Sequence, residues 1–285
     1  MAKKICLVTG ASSGIGKEIA LALAKTGAHV IMVCRNTDKG NCALKDIKQQ
    51  SGSTSIDLLT ADLSSQSEIR LLSKMIYERY SNLHVLINNA GVVLSKKTLS
   101  ADGIEMTLAT NHLGPFLLTH LLLDLLKKSA PSRIINISSN IHKWAKVDLT
   151  DLQYRRRPYK FMQAYAQSKL LVNIATFALS KKLIGTGVTA NCAHPGAVKT
   201  NLGTDSASSL TLKFIDKCIK FFFITPQKAA ESLCYLAVAP EIATSSGKYF
   251  MKGKPSLASA TSYDNVLSDK ICDISKQLVG ISMGS

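Results

Sequence analysis

Along its whole length the chain alternates short apolar runs with longer amphipathic stretches, and few folds accommodate that rhythm. The short runs are Ile5 to Val8, Val30 to Cys34, Ser55 to Thr60, Val85 to Asn88, Arg133 to Ser138, Val188 to Ala193 and Gly247 to Met251. Helical patterns begin between them near Gly16, Asn41, Gln66, Asp102, Phe161 and Gln227. Strands alternating with helices pair in parallel through right-handed crossovers, which lays helices on both faces of one sheet. The expected class is α/β, a doubly wound parallel sheet. No internal repeat or low-complexity linker divides the 285 residues, so they read as one domain, 1–285, with 46% hydrophobic side chains to supply its core.

The turn after the first strand narrows the class. In Thr9-Gly10-Ala11-Ser12-Ser13-Gly14-Ile15-Gly16, the glycines lie between a strand and a helix. Glycine there permits a tight turn and lets backbone N–H groups at the helix N-terminus approach a pyrophosphate. The spacing is GxxxGxG, not the more familiar GxGxxG, and an ordinary strand-to-helix turn is the plainer alternative. A nucleotide reading makes the sheet Rossmann-type. At the end of the second strand, where an acidic residue usually takes a ribose 2′-hydroxyl, stands Arg35. A guanidinium fork suits a 2′-phosphate, so NADP(H) is expected over NAD(H), with nearby Asp38 as the opposing signal. Asp62 ends the third strand, ready to accept from an adenine amine or to cap a helix. Asn88-Asn89-Ala90-Gly91 ends the fourth, either admitting a nucleotide closely or making a turn.

Tyr165 and Lys169 supply the chemistry. On a helix, residues four apart share a face, so the Lys169 ammonium is expected beside the Tyr165 phenol, where it favours the phenolate. A tyrosine with its pKa lowered from about 10 exchanges protons near neutrality.

These segments together resemble the short-chain dehydrogenase/reductase family, over nearly the whole chain: TGASSGIG (Thr9 to Gly16), Asp62, NNAG (Asn88 to Gly91), Asn111 in TNHLGPF, Ser139 in IINISSN, YAQSK (Tyr165 to Lys169) and HPGAVKT (His194 to Thr200). The resemblance implies a catalytic tetrad. In it Tyr165 gives or takes the proton, Ser139 donates to the substrate oxygen, Lys169 acts on the phenol and a ribose hydroxyl, and Asn111 holds a water joining Lys169 to solvent. It also implies cofactor contacts from Gly10, Ser12, Ser13, Gly14, Ile15, Gly16, Arg35, Asp62, Leu63, Asn89, Ala90, Gly91, Tyr165, Lys169, Pro195, Gly196, Val198 and Thr200. No metal is expected.

Cys34-Arg35-Asn36, Asp151-Leu152-Gln153 and Ser246-Gly247-Lys248-Tyr249-Phe250 resemble the retinol-dehydrogenase-like branch, which implies a lipophilic aldehyde, ketone or alcohol as substrate. Ile141 to Trp144, Tyr154 to Phe161 and Leu202 to Phe223 are the expected pocket walls, with 197–226 covering the substrate. Within that cover, Leu210, Phe214, Cys218 and Phe222 recur every four residues beside Lys213, Lys217 and Lys220. Such a basic amphipathic helix either packs on the core or forms a greasy flap that touches a membrane surface. A non-enzymic NADP(H)-binding sensor or scaffold on the same fold is the alternative function.

Composition sets the surroundings. An excess of 35 Lys and Arg over 19 Asp and Glu gives +16, but the basic residues are dispersed. Arg155-Arg156-Arg157, the only triplet, reads as solvated surface, and no nucleic-acid partner is expected. Seven scattered cysteines without a CxxC pair speak against disulfide and zinc scaffolds. Met1 to Cys6 runs straight into a strand, and no apolar run reaches the roughly 18 residues of a spanning helix. A cytoplasmic location is expected, with peripheral membrane contact left open. The family resemblance implies a homodimer through Asn111 to Leu126 and Phe161 to Lys182.

Overall fold

The computed structural model describes residues 3–196 and 224–282. Eight strands form one sheet: β1 (Ile5–Thr9), β2 (His29–Cys34), β3 (Ile56–Thr60), β4 (Val85–Asn88), β5 (Ser132–Ile137), β6 (Val188–His194), β7 (Tyr249–Met251) and β8 (Lys254–Ser256). Their order is β3-β2-β1-β4-β5-β6-β7-β8. All pairs are parallel except β7 and β8, which close in an antiparallel hairpin. Strand order reverses between β1 and β4, and a crevice opens beyond the carboxyl ends of those strands, where α/β sheets take their ligands.

The alternation along each strand divides the interior into two cores. Leu7, Ile31 and Val33 face one side, against α3 (Gln66–Arg79), α5 (Gly114–Leu121), α7 (Phe161–Lys182) and α9 (Asn265–Val279). Cys6, Val8, Val30 and Met32 face the other, against α1 (Gly14–Lys25), α2 (Thr37–Ser51) and α8 (Pro226–Val238). Period-2 patterning in strands buried on both sides is the physical reason the runs are apolar throughout. Two short helices, α4 (Met106–Leu108) and α6 (Leu123–Lys128), flank the α5 region. Between α4 and α5 the chain widens into a π-helical turn, Ala109–Leu113.

Most expected elements are present, with informative differences. Helix α2 begins at Thr37, four residues ahead of the apolar pattern, because Asn36 caps it by accepting from the Lys39 N–H at 2.8 Å. β8 and α9 lie beyond the last expected strand. The α9 signal was present in Leu267, Ile271, Ile274 and Leu278, with Asp264 capping one end and Gly280, at φ 63°, the other. Arg133, in β5, is buried and donates to the carbonyls of Leu236 and Ala239 at 3.0 and 2.7 Å, closing the C-terminus of α8.

A buried polar ladder sets α7 against the sheet. Asn88 Nδ2 donates to Thr119 Oγ1 (3.0 Å) and Asn136 Oδ1 (2.7 Å), and Asn136 Nδ2 donates to Thr176 Oγ1 (2.8 Å). In a low-dielectric interior such bonds are directional, so they fix the position of the helix as apolar packing alone would not. No helix among the described residues is long and apolar enough to cross a membrane. The six cysteines among them are free thiols.

Candidate active site

At the nucleotide side, the glycines are required by space and by dihedral angle. Gly10 and Gly14 have φ of 68° and 54°, values that side chains disfavour. A Cβ on Gly16 would lie 2.3 Å from the Gly10 carbonyl oxygen. Ser13 stands at the N-cap of α1, but its side chain caps nothing and no acidic residue occupies the first turn. The first N–H groups of the helix therefore have no side-chain cap, and the helix dipole favours an anion there. Ser12 and Ile15 flank the same turn, both partly exposed. This turn fits the pyrophosphate of a dinucleotide.

Asn89 contributes differently from its expected role. Its Nδ2 donates to the Thr9 carbonyl at 2.8 Å, and the backbone N–H groups of Asn89 and Ala90 both donate to Thr9 Oγ1 at 3.0 Å. The side chain thus ties the end of β4 to the glycine turn. Thr9, given no role by sequence reasoning, is the acceptor that joins the two. Asp62 caps no helix. Its Oδ1 accepts from Ser64 N and Oγ, at 2.8 and 2.7 Å, while Ser65 caps α3. Asp62 Oδ2 lies 3.9 Å from Arg35 Nη1, and the arginine side chain is 68% exposed, so the guanidinium is held loosely and remains accessible. The Leu63 carbonyl is approached so closely by α5 that a Cβ on Gly114 would lie 2.2 Å from it.

On the other side of the crevice, α7 carries Tyr165 and Lys169. The Tyr165 phenol lies near the Ser139 side chain, which acts to lower its pKa. Ser138 points elsewhere, its hydroxyl lying 3.5 Å from the Lys169 carbonyl. Lys169 is buried and donates to the Ile137 carbonyl at 2.8 Å, with its nitrogen 5.7 Å from the centre of the Tyr165 ring. Burial pushes Lys169 down to about 8. Burial also pushes the Tyr165 phenol up to about 12, against the opposing effect of the Ser139 side chain. The sequence-based expectation assigns the acidifying effect to Lys169 together with the positive charge of a nicotinamide; from the protein's own groups, burial outweighs the lysine and raises the phenol. The lysine's charge is disfavoured in the same dry site, and loss of hydration decides the balance.

Asn111 lies in the π-helical turn. Its Oδ1 accepts from Val92 N at 2.7 Å, and its Nδ2 donates to Val92 O at 2.9 Å and Ser168 Oγ at 3.1 Å. Asn111 clamps the loop after β4 to α7, and a water between it and Lys169 would need the remaining Oδ1 lone pair. Gly91 leaves the gap: a Cβ there would lie 3.2 Å from Asn111 Oδ1 and 3.6 Å from Lys169 Nζ. Ser168 carried no signal in the sequence beyond standing next to Lys169. Pro195 and Gly196, the latter at φ 106°, follow β6 and turn the chain at the crevice. Val198, Thr200 and the Leu202 to Phe223 stretch lie outside the described residues.

The expected pocket walls are met only in part. Trp144 is exposed, but Tyr154 is buried at φ 53° with its ring against Tyr159, which removes it from any open wall. The arginine triplet is not simply solvated surface. Arg157 lies 4.1 Å over the Tyr154 ring and donates to Gln167 Oε1 at 2.9 Å, because Asp151 gathers the chain there by accepting from the amides of residues 155, 156 and 157.

A sequence profile described as short chain dehydrogenase matches residues 4–210. Retinol dehydrogenase 13 of Homo sapiens is 40% identical over 285 residues, 99% of this chain and 86% of that protein. Retinol dehydrogenase 11 of Homo sapiens is 38% identical over 278 residues, 98% and 87% of the two. A crystal structure of actinorhodin polyketide ketoreductase with NADPH superposes with a TM-score of 0.70 at 28% identity, covering 87% of this chain and 95% of that one. Fold, crevice and kinship define an oxidoreductase that uses a nicotinamide cofactor. The chain belongs to the short-chain dehydrogenase/reductase family, in its retinol-dehydrogenase-like branch.

Proposed function

We propose that the protein interconverts a lipophilic aldehyde or ketone and its alcohol with NADP(H), retinal and retinol being the first pair to try. The observation that supports this most is the Tyr165 phenol, near the Ser139 side chain on the carboxyl edge of the sheet and one helical turn from buried Lys169. When bound, the dinucleotide supplies the hydride added to the carbonyl carbon. Ser139 and Tyr165 then hold the carbonyl oxygen, where negative charge grows. Tyr165 would give its proton to that oxygen in reduction and take it back in oxidation. Lys169 and Asn111 keep α7 and the loop after β4 in register with that oxygen.

NADP(H) is favoured by Arg35, exposed at the end of β2, where among the described residues its ion-pair partner is Asp62 at 3.9 Å. Ser12, Lys17 and Lys39 line a cleft of about 550 Å³ between the glycine turn and α2 together with Asp38 and Asp46, the latter ion-paired with Lys17. A lipophilic substrate is supported by the kinship with retinol dehydrogenases and by Trp144 and Leu257, 73% and 76% exposed, with Lys143 and Lys254 close to them in the sequence. The same surface suits peripheral contact with an anionic membrane. A homodimer would use the apolar groove between α5 and α7, lined by Phe116, Val172, Ala175 and Leu179.

The test is turnover of a panel of aldehydes, ketones and alcohols, retinoids included, followed at the nicotinamide absorbance with NADPH and with NADH. Reduction of apolar carbonyls with NADPH is expected. Turnover confined to charged sugars or acids, or none on any member, overturns the reading. Co-sedimentation with anionic vesicles and light scattering test the membrane and dimer parts.

A further inference from the structure

His142, three residues beyond Ser139, is buried in the loop that follows β5, and both of its ring nitrogens are engaged. Nε2 lies 3.0 Å from the Ser259 backbone nitrogen and Nδ1 lies 2.6 Å from the Ser139 carbonyl oxygen. A backbone N–H only donates, so Nε2 carries the lone pair. Nδ1 then carries the hydrogen and donates to Ser139. The tautomer is set by these two partners. Burial, which lowers the histidine's pKa, keeps the ring in this neutral form.

Around this ring the packing makes a closed circuit. His142 lies against Tyr249, with ring centres 5.1 Å apart, and the Tyr249 hydroxyl donates to Asn140 Oδ1 at 3.0 Å. Beyond Ser259, the Ala258 N–H donates to Tyr263 Oη at 3.1 Å, and the Tyr263 ring stacks on Phe177 with centres 4.9 Å apart. Phe177 belongs to α7, which also carries Tyr165. The serine and the tyrosine, near each other at the crevice, are therefore also joined the long way round through 258–263.

We propose that His142 is the positioning residue for Ser139, holding the serine's backbone against a carboxyl-terminal brace, the 258–263 segment, that is itself anchored on α7. This rests on the reading of Ser139 and Tyr165 as the pair that meets the substrate oxygen. A hydrogen-bond donor aimed at a growing charge must be placed to a fraction of an ångström, and His142 is the side chain of the loop after β5 that meets both the Ser139 carbonyl and the Ser259 amide.

The experiment compares full-length His142→Gln and His142→Asn with the parent, using NADPH and an apolar aldehyde that the parent reduces. Glutamine reaches the Ser259 N–H but leaves the Ser139 carbonyl with only the backbone N–H of residue 142, at 3.1 Å, as its donor; asparagine serves the carbonyl and cannot reach Ser259. For His142→Gln, kcat is expected to fall about 10- to 100-fold, with the KM for NADPH unchanged within about twofold. His142→Asn keeps the bond to the Ser139 carbonyl but loses the brace, so its kcat is expected to fall as well while hydrogen exchange at the Ser259 amide accelerates. Equal losses of melting temperature in both variants with kcat of the folded protein unchanged would overturn the proposal. Should neither variant fold, Ser259→Pro decides. Ser259 has φ −65°, which proline adopts, but the ring carbon on nitrogen takes the place of the amide hydrogen against His142 Nε2, so the change breaks this contact by loss of the donor and by crowding; Ser259→Ala supplies the reference for the hydroxyl. A kcat for Ser259→Pro equal to that of Ser259→Ala overturns the proposal. Tyr165→Phe separates the two failures: if it still turns over, the catalytic reading is wrong, and if it is inactive while His142→Gln is normal, only the positioning role is wrong.

Discussion

The two walls of the crevice are built on opposite principles. On the β1–α1 side the backbone is shaped by missing side chains: Gly10 and Gly14 take positive φ, and Gly16 lets the helix press onto the Gly10 carbonyl. On the α7 side the geometry depends on side chains that reach distant parts of the chain, Tyr165 to Ser139, Lys169 to Ile137 and Asn111 to Val92 and Ser168. The first wall is a local steric solution and should fail by clashing. The second is a set of long-range bonds and should fail by losing chemistry while the fold survives.

The contrast is most exposed by Tyr165→Phe, which keeps the ring and deletes the proton. Carbonyl reduction is expected to fall by about a thousandfold or more while dinucleotide binding, read by fluorescence titration, stays within about twofold. Retained turnover would remove the tyrosine from its role. Gly16→Ala is the matching change on the other wall. Its Cβ meets backbone, which cannot swing aside, so unfolding should become easier by about 1–3 kcal/mol and dinucleotide affinity should fall about tenfold. Normal denaturation and normal binding would mean the turn has slack the glycines do not suggest.

Arg35→Asp probes a smaller, purely electrostatic part of the first wall. It replaces a cation with a carboxylate close to Asp62, and the ratio of kcat/KM for NADPH over NADH should drop about a hundredfold, the size expected of charge-assisted bonds to a phosphate. An unchanged ratio would send the search to Ser12, Lys17 and Lys39.

The smallest expected effect concerns acid. His112, beside Asn111, is buried, bonded to Ser275 at 2.8 Å, and pushed down to about 3 by burial. An unfolded chain takes up that proton near pH 6.5. Between pH 6.5 and about 3 the unfolded state therefore binds more protons than the native one, and stability falls as the pH is lowered through that window. At pH 5 the cost from this group is about 1–2 kcal/mol relative to pH 7. Urea midpoints at the two pH values should converge in His112→Asn, and a parental pH response in that variant would assign the acid sensitivity to other groups.

Much of this was readable beforehand, for reasons that differ from residue to residue. The seven apolar runs are strands because both faces of a parallel sheet are buried, and that pattern needs no partner to be recognised. The positions of Tyr165 and Lys169 followed from helical spacing alone. What spacing did not reveal was the sign of the effect on the phenol, since burial acts on tyrosine and lysine together and depends on everything packed above them. Asn89 and Asp62 stand where expected, yet their side chains are taken by Thr9 and Ser64, partners visible only once β1 and β4, or the turn after β3, are in place. Arg157 looked like surface until Asp151 drew the chain around it.

By itself the sequence determined the sheet and its winding, the glycine turn, and the presence of a tyrosine and a lysine on one helical face, because each rests on contacts between near neighbours or on what a backbone without side chains can do. The tertiary structure alone decided which carbonyl holds Lys169, that Asn111 serves as a clamp, that His142 couples Ser139 to residues more than a hundred positions away, and that the phenol is raised rather than lowered. Those depend on desolvation and on pairings between strands and helices far apart in the chain, and a buried charge or hydrogen bond has no defined energy until the walls around it are in place.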